Sequence, residues 1–179
     1  MDLIKIVVLG PESTGKSTLC ENLAAYFNTL WVPEYAREYL LKNGTDYSFS
    51  DLLTIAKGQL ELEQKYVHEA LDSDKKLLII DTDQYVMKVW CEFVFNDCHS
   101  WILNQIPQQD YDLYLLCKPD LPWVQDELRE YPDEGPRQQL FHIYKDLLIN
   151  QSTPWVEISG SYEERTQKAI TAVEGILRK

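Results

Sequence analysis

Residues 10–17 read GPESTGKS and match the pattern G-x-x-x-x-G-K-[S/T] at every position. The motif follows an apolar, β-branched run at 3–9 and precedes a segment whose apolar residues repeat at helical spacing. Glycines allow successive backbone N–H groups to turn toward phosphate oxygens, and the start of a helix adds the positive end of its dipole. The sequence therefore predicts a strand, a phosphate-binding loop and a helix in direct succession.

Within this loop, the residue types predict individual contacts with ATP and Mg²⁺. We expect Lys16 to reach the β and γ phosphates, Ser17 to place its hydroxyl on Mg²⁺, and Thr18 to contact a further phosphate oxygen. The alternative is a glycine-rich turn that binds nothing. The predicted ATP-binding residues of the loop are Gly10, Glu12, Ser13, Thr14, Gly15, Lys16, Ser17 and Thr18.

The composition fits a single domain over residues 1–179, because 45% of the 179 residues are hydrophobic and can form one core. Twenty-nine acidic residues against 17 Lys and Arg give a net charge of −12, so we expect no binding of nucleic acid. No apolar run reaches the roughly 18 residues that span a bilayer, and no basic signal peptide opens the chain. We expect a cytoplasmic protein without membrane contact. Its four cysteines show no metal-binding spacing and are expected to be reduced thiols.

The remaining chain alternates strands with helices, which is typical of a parallel sheet covered by helices on both faces. The fold class expected is α/β, a P-loop kinase-like three-layer sandwich with a five-stranded parallel sheet and a lid. The charged stretch after Pro33 is interpreted as an active loop, and Ser50 as the N-cap of a long helix. The predicted strands are 3–9, 30–32, 77–80, 113–117 and 155–158; the later helices are 50–71, 85–95, 100–105, 137–149 and 162–177.

A polar segment at 118–136, rich in Pro and Asp, is longer than an ordinary connection and is typical of a lid; the lid is expected over about 118–137. Arginines on a closing loop, here Arg129 and Arg137, can neutralise the charge of a transferring phosphoryl group while closure excludes water. These are requirements of a kinase, and a GTPase would instead carry an N-K-x-D motif, which the sequence lacks. Trp123 and Tyr35 are candidates to stack on a flat ring, with simple packing as the alternative.

Three carboxylates follow predicted strands and are candidates for the chemistry. Asp81 ends a buried strand, where it can hold a magnesium-bound water or the attacking hydroxyl. Asp83 either supports Asp81 or caps the next helix. Glu34 can accept a proton from a substrate hydroxyl, although a solvated ion pair with Arg37 is the alternative. The residue pattern leaves open which carboxylate is the base.

Taken together, these motifs resemble the ribosylnicotinamide kinase domain of bacterial NadR-type proteins, within the P-loop nucleoside and nucleotide kinases. The resemblance covers nearly the whole chain. Its segments are GPESTGKSTL at 10–19, PEYAREY at 33–39, IAKGQ at 55–59, IDTD at 80–83, LPWVQDELR at 121–129, RQQLF at 137–141 and SGSYEER at 159–165.

The resemblance implies transfer of the γ-phosphate of ATP to the 5′-hydroxyl of nicotinamide riboside, a small-molecule substrate, in NAD biosynthesis. It implies a catalytic set of Lys16, Glu34, Asp81, Arg129 and Arg137, with Ser17 and Asp81 at Mg²⁺. It further implies an adenine-side turn of Ser159, Gly160 and Tyr162, and a substrate side of Glu34, Tyr35, Arg37, Asp81, Asp83, Trp123 and Asp126.

Two features depart from the family. Glu127 stands where the family commonly has a lid glycine, which bears on lid flexibility and acceptor choice. Residues 1–179 also contain neither the adenylyltransferase domain nor the DNA-binding segment of the bifunctional proteins, so only the kinase activity is expected.

Two other functions stay open from the sequence, as does the oligomeric state. One is a kinase for another nucleoside or small metabolite, and the other is an ATP-binding regulatory NTPase that acts through a partner. A kinase requires Glu34, Arg37 and Asp81 to converge on a pocket, whereas a regulatory switch requires a mobile surface.

Overall fold

A five-stranded, entirely parallel sheet forms the centre of the protein, as seen in a computed structural model that describes residues 3–178. The strands run in the spatial order β2-β3-β1-β4-β5, so the strand that precedes the phosphate loop lies in the middle. The predicted strands are confirmed. They are β1 (Ile4–Leu9), β2 (Leu30–Val32), β3 (Leu77–Asp81), β4 (Leu113–Cys117) and β5 (Trp155–Ile158).

Helices cover both faces of this sheet, which confirms the predicted α/β sandwich. The helices are α1 (Lys16–Tyr26), α2 (Tyr35–Asn43), α3 (Phe49–Asp72), α4 (Gln84–Phe95), α5 (Ser100–Gln105), α6 (Glu134–Ile149) and α7 (Tyr162–Leu177), with a short 3-10 turn at Ile106–Gln108. Helices α1 and α7 pack on one face, and α3, α4 and α6 pack on the other. No helix among residues 3–178 combines the length and apolarity needed to cross a bilayer.

The alternation of side chains along β1 explains the two-sided core. Ile6 and Val8 point toward α1 and α7, whereas Val7 and Leu9 point toward α4 and α6, and all four are essentially inaccessible. A strand buried on both faces is apolar where it is buried, which is why β1 is apolar from Ile6 to Leu9 and carries its charged residue, Lys5, near its partly exposed start. This burial fixes the end of β1, and with it the start of the phosphate loop.

Two predicted features of the 34–50 region are wrong. The stretch interpreted as an active loop forms helix α2, because Ala36 and Leu40 lie four residues apart and are both buried against α3 and α4. The N-cap of α3 is Ser48 rather than Ser50: its hydroxyl accepts from the Asp51 backbone, and the Asp51 carboxylate accepts from the Ser48 backbone in a capping box.

The connection between β4 and α6 is shorter than predicted. Helix α6 begins at Glu134, so residues 118–133 form the irregular segment, and Arg137 lies on the helix rather than within a loop. We use the name lid segment for residues 118–133. It crosses the carboxyl edge of the sheet and contacts the phosphate loop, as described below.

Candidate functional site

A cavity of about 450 Å³ opens at the carboxyl edge of the sheet. The phosphate loop lines one part of it, and a group of aromatic side chains around Phe93, called here the aromatic end, lines another. Ligands of open α/β sheets bind at this edge. The predicted residues that line the cavity are Gly10, Glu12, Ser13, Thr14, Gly15, Lys16, Ser17, Thr18, Glu34, Arg37, Asp126, Arg129 and Tyr162.

The loop backbone has the conformation that a phosphate cradle needs. Gly10 has φ 144°, and a Cβ there would lie 2.6 Å from the carbonyl oxygen of Cys117. Gly15 has φ 76° and is the N-cap of α1. Because both positions require positive φ, glycine is the residue that fits them. The ammonium of Lys16 folds over the loop and donates to the carbonyl of Pro11 at 2.9 Å.

Ser17 and Asp81 are brought together directly. The Ser17 hydroxyl donates to a carboxylate oxygen of Asp81 at 2.7 Å, although the two residues are 64 positions apart. Burial raises the pKa of Asp81, while Lys16 and the hydrogen bond from Ser17 oppose that rise. A hydroxyl and a carboxylate side by side beside a phosphate loop are oxygen ligands of the kind that Mg²⁺ accepts, together with phosphates and water. The residues present therefore fit a magnesium ion.

Glu34 lies between β2 and α2 and lines the cavity. Burial, reinforced by the nearby Asp81 carboxylate, raises the pKa of Glu34, while Lys16 and Arg37 act in the opposite direction. The buried side-chain amide of Gln59 joins the turn after β2, which carries Glu34, to the turn after β3, which carries Asp81. Its oxygen accepts from the backbone N–H of Tyr35 at 2.7 Å. Its nitrogen donates to the backbone carbonyls of Pro33 and Asp81, each at 3.4 Å. Gln59 thus links the turns that follow β2 and β3, two strands that also pair side by side, and it helps to hold Glu34 near Asp81.

The lid segment is attached to both sides of the cavity. Asp126 forms an ion pair with Arg37 on α2, with 3.1 Å between the closest atoms. Arg129 lines the cavity, and its guanidinium donates to the carbonyl of Val124 within the lid segment. The alternative interpretation, an ion pair of Glu34 with Arg37, is not found among residues 3–178, where Arg37 pairs with Asp126.

Arg137 carries an uncompensated buried charge. Its side chain is 6% exposed, and its Nε and one terminal nitrogen have no hydrogen-bond acceptor among residues 3–178. Leu140 and Tyr144 follow it at helical spacing on α6 and line the cavity, so Arg137 lies on the face of α6 that is turned toward the site. A buried guanidinium without an anion is costly, and a phosphate group would relieve that cost.

Besides Asp81, five predicted substrate-side or adenine-side residues lie outside the cavity lining. Asp83 caps α4, accepts from Tyr114 and Gln109, and is buried, which raises its pKa to about 7. The Tyr35 ring packs on α3, where a Cβ at Gly58 would lie 2.2 Å from it. The remaining members are Trp123, whose indole donates toward Glu12 at 3.4 Å, and the turn residues Ser159 and Gly160.

The aromatic end of the cavity contains residues that sequence reasoning missed. Trp90 and Phe93 lie one turn apart on α4, and Tyr131 of the lid segment contacts Phe93 edge to face at 5.5 Å between ring centroids. The spacing of Trp90 and Phe93 predicts a shared helix face, but only the packing of the lid segment shows that this face lines a cavity. Trp31, Leu128 and Tyr144 complete the apolar surface.

Arg165 is a further residue near the site that sequence reasoning missed. Its buried guanidinium donates to the carbonyls of Thr14 at 2.9 Å, Gly160 at 2.7 Å and Lys118 at 2.8 Å, and pairs with Asp120. One side chain thus fixes the phosphate loop, the start of the lid segment and the β5–α7 turn against each other. Its position one turn into α7 resembles an ordinary surface site, so no local pattern identifies it.

The fold and the glycine loop with its Lys16 and Ser17 define the protein as a P-loop nucleotide-binding protein with a kinase-type architecture. The chain belongs to the AAA_28 family, described as an AAA domain, whose model matches residues 5–165. Membership accounts for the central strand, the loop and the flanking helices as one inherited unit.

Sequence comparison confirms the resemblance to NadR. The chain is 28% identical over 177 residues to the trifunctional NAD biosynthesis/regulator protein NadR of Escherichia coli, and equally to that of Salmonella typhimurium. The match covers 96% of this chain but only 42% of each relative. The chain therefore spans less than half the length of these curated relatives.

Solved structures share the fold. A NadR protein in complex with NR superposes with a TM-score of 0.75 at 24% identity, over 97% of this chain and 49% of that one. A NadR protein in complex with NAD and AMP-PNP gives 0.73 at 23% identity with the same coverage. Thymidylate kinase from Ehrlichia chaffeensis gives 0.69 at 16% identity, over 97% of this chain and all of that one. These likenesses confirm the P-loop kinase fold.

Proposed function

We propose that this protein transfers the γ-phosphate of ATP to the 5′-hydroxyl of nicotinamide riboside, forming nicotinamide mononucleotide. The observation that carries the proposal is the convergence of Lys16, Glu34 and Arg129 on one cavity, with the Ser17–Asp81 pair beside it and aromatic side chains in the same lining. Such a cavity offers groups for phosphates and groups for a flat ring, which are the two parts of a nucleoside kinase site. The relationship to NadR supports the choice of acceptor.

On the nucleotide side, the N–H groups of the phosphate loop and the start of α1 bind the phosphates of ATP. Lys16 neutralises charge that develops on the transferring group. Ser17 and Asp81 are the residues that would hold Mg²⁺, which supplies further charge neutralisation on the phosphate oxygens when bound. Tyr162 lies across Gly15, with 3.1 Å from its ring to the position of a Cβ there, and bounds the nucleotide end.

On the acceptor side, Glu34 is the better placed of the two candidate bases. Its carboxyl group lines the cavity, whereas the Asp81 carboxylate is buried against Ser17. A raised pKa makes the ionised Glu34 a stronger proton acceptor. Glu34 thus accepts the proton of the 5′-hydroxyl as its oxygen bonds to the γ-phosphorus and ADP departs.

The lid segment completes the site by adding positive charge and excluding water. Arg129 lines the cavity from this segment, and Arg137 lies on the adjoining helix α6, outside the described lining but on the face turned toward the site. In this proposal both cations stabilise the phosphoryl group in transit. Exclusion of water directs the phosphoryl group to the nucleoside rather than to hydrolysis. Within this proposal, residues 1–179 act as one kinase domain with 118–133 as its lid.

The test is phosphate transfer from Mg-ATP to nicotinamide riboside, to a panel of other nucleosides, and to water alone. We expect selective formation of nicotinamide mononucleotide. Turnover with a different nucleoside alone would retain a kinase and reject this acceptor. Slow hydrolysis that no acceptor accelerates would reject the kinase and favour the regulatory NTPase.

A further inference from the structure

Glu12 places a carboxylate inside the phosphate loop, where its charge opposes nucleotide binding. Two like charges about 4 Å apart repel by roughly 1 kcal/mol even at the dielectric constant of water. Glu12 lines the cavity, and it was predicted to contact ATP. The structure shows a different use for its side chain, because the carboxylate turns away from the cradle and toward the lid segment.

Both oxygens of this carboxylate bind the lid segment. Oε1 accepts from the backbone N–H of Tyr131 at 2.6 Å and, more weakly, from the Trp123 indole at 3.4 Å. Oε2 accepts from the backbone N–H of Glu130 at 2.9 Å. Two successive N–H groups thus hold one carboxylate, an arrangement that carries charge-assisted hydrogen bonds. The next loop residue adds a contact, since the Ser13 hydroxyl accepts from the Val124 backbone at 3.1 Å.

The location of these bonds connects the lid segment to the chemistry. Arg129 immediately precedes the bonded pair 130–131, so its Cα is one peptide unit, about 3.8 Å, from a residue that Glu12 holds. Tyr131 is itself one of the bonded residues, and its ring lines the aromatic end of the cavity. Fixing this backbone therefore sets the positions of a phosphate-side cation and an acceptor-side ring together.

We propose that Glu12 is a positioning residue: its carboxylate docks the lid segment on the phosphate loop, and so places Arg129 over the transferring phosphoryl group and Tyr131 against the acceptor. This inference rests on the proposed kinase function for its catalytic consequence, but the docking itself does not depend on the acceptor. The negative charge in the phosphate loop is then compensated by backbone N–H groups instead of being exposed to ATP.

The variant Glu12→Ala should lower kcat for phosphate transfer by about 10- to 100-fold, since a misplaced catalytic group costs rates of that order. The KM for ATP should change less than threefold, and the fraction of ATP lost to water should rise. Glu12→Gln keeps one accepting oxygen and should restore part of kcat. Combined with Arg129→Ala, Glu12→Ala should cost clearly less than it does alone, because part of its effect acts through Arg129.

Hydrogen exchange gives a readout that needs no acceptor. Amides of residues 124, 130 and 131 should exchange faster in Glu12→Ala and be partly protected again in Glu12→Gln, while the amides of β1 stay protected. The matched control is Asp133→Asn, which neutralises an exposed carboxylate of the same lid segment that makes no capping hydrogen bond to α6, and it should change neither rate nor exchange.

Unchanged amide exchange at residues 124, 130 and 131 in Glu12→Ala would overturn the docking. Additive losses of kcat in the double variant with Arg129→Ala would overturn the positioning role. If Glu12→Ala does not fold, the same comparisons with Glu12→Gln decide the matter. If the wild-type protein does not phosphorylate nicotinamide riboside, the proposed acceptor is wrong. The docking is then still tested by the amide exchange data and by the rate of ATP hydrolysis of Glu12→Ala relative to wild type.

Discussion

The Ser17 hydroxyl donates a 2.7 Å hydrogen bond to Asp81 and thereby joins the first turn of α1 to the end of β3. Register explains the contact, because Val8 of β1 pairs with Asp81, so the end of β3 lies beside the start of the phosphate loop. A serine and an aspartate from distant segments become one pair of oxygen ligands. The geometry of the sheet, rather than any local motif, creates this part of the site.

Asp81→Asn should reduce kcat more than it weakens ATP binding. The amide keeps the size of the side chain but removes the charge that would hold Mg²⁺, and we expect a loss of about 10- to 100-fold or more. Steady-state kinetics with a separate nucleotide-binding titration measures the two effects. Asp110→Asn on an exposed connection serves as the control. An unchanged kcat would remove Asp81 from the chemistry.

Lys16→Ala should abolish phosphate transfer while the fold stays intact. The only described hydrogen bond of its side chain within residues 3–178 goes to Pro11, so little stability depends on it. Loss of a cation at the transferring group should cost about 1,000-fold or more in kcat. Circular dichroism reports the fold and a coupled assay reports turnover, with the exposed Lys65→Ala as the control. Normal turnover in Lys16→Ala would reject the assignment of the site.

Arg165→Met should destabilise the protein by about 3 kcal/mol, since it removes the partner of three backbone carbonyls and of Asp120. Weaker ATP binding should accompany the loss because the phosphate loop is released on one side. Arg178→Met, at a side chain that is 78% exposed, should change stability by less than about 0.5 kcal/mol. Urea unfolding of both variants makes the comparison, and equal midpoints would contradict it.

Two glycine-to-alanine substitutions should change the free energy of unfolding in opposite directions. Gly10→Ala introduces a methyl group 2.6 Å from a backbone oxygen at a φ of 144°, and should cost about 2 kcal/mol or more. Gly175→Ala lies within α7, and its new Cβ has no neighbouring atom within 4 Å, so it should raise the free energy of unfolding by about 0.5–1 kcal/mol. Thermal melting distinguishes them. A stabilised Gly10→Ala would show that the loop tolerates a side chain there.

Asp51 should make stability depend on pH in the acid range. Hydrogen bonds from Ser48 and Tyr39 lower the pKa of Asp51 from 3.8 to about 2. A lowered folded pKa stabilises the protein above 3.8, and this contribution is lost as pH falls toward 2. Asp51→Asn should therefore be less stable than wild type at neutral pH, with the difference shrinking at acid pH. Urea midpoints measure it, with the exposed Glu61→Gln as control; a constant difference would contradict the linkage.

Sequence patterns predicted the fold well because they arise from local physics. All five strands contain short apolar runs, and the three central strands β1, β3 and β4 are buried on both faces over most of their length. The phosphate loop needs glycine at fixed positions. Helix α2 was missed because its nine residues bury only Ala36 and Leu40, so charge dominates its composition. Asp83 was left between two roles, since strand spacing alone does not reveal that Tyr114 and Gln109 surround its carboxylate.

The site was predictable where one segment supplies it and unpredictable where distant segments meet. Lys16 and Ser17 follow from the motif itself. The partners of Glu12 lie 111 to 119 positions away. Arg165 reaches Thr14 at 151 positions and Lys118 at 47, and no local pattern marks these partners. Aromatic residues expected at the acceptor, Tyr35 and Trp123, pack elsewhere, because ring orientation depends on neighbouring elements that only the fold brings together.

The anchoring of the phosphate loop by Arg165 has a consequence for folding. The guanidinium and the Thr14 carbonyl that it supports lie 151 positions apart in the chain. Closing a chain segment of that length costs conformational entropy before the contact can form. We therefore expect the phosphate loop to reach its final conformation late in folding, after α7 has docked on the sheet, so that partly folded states without docked α7 bind ATP weakly.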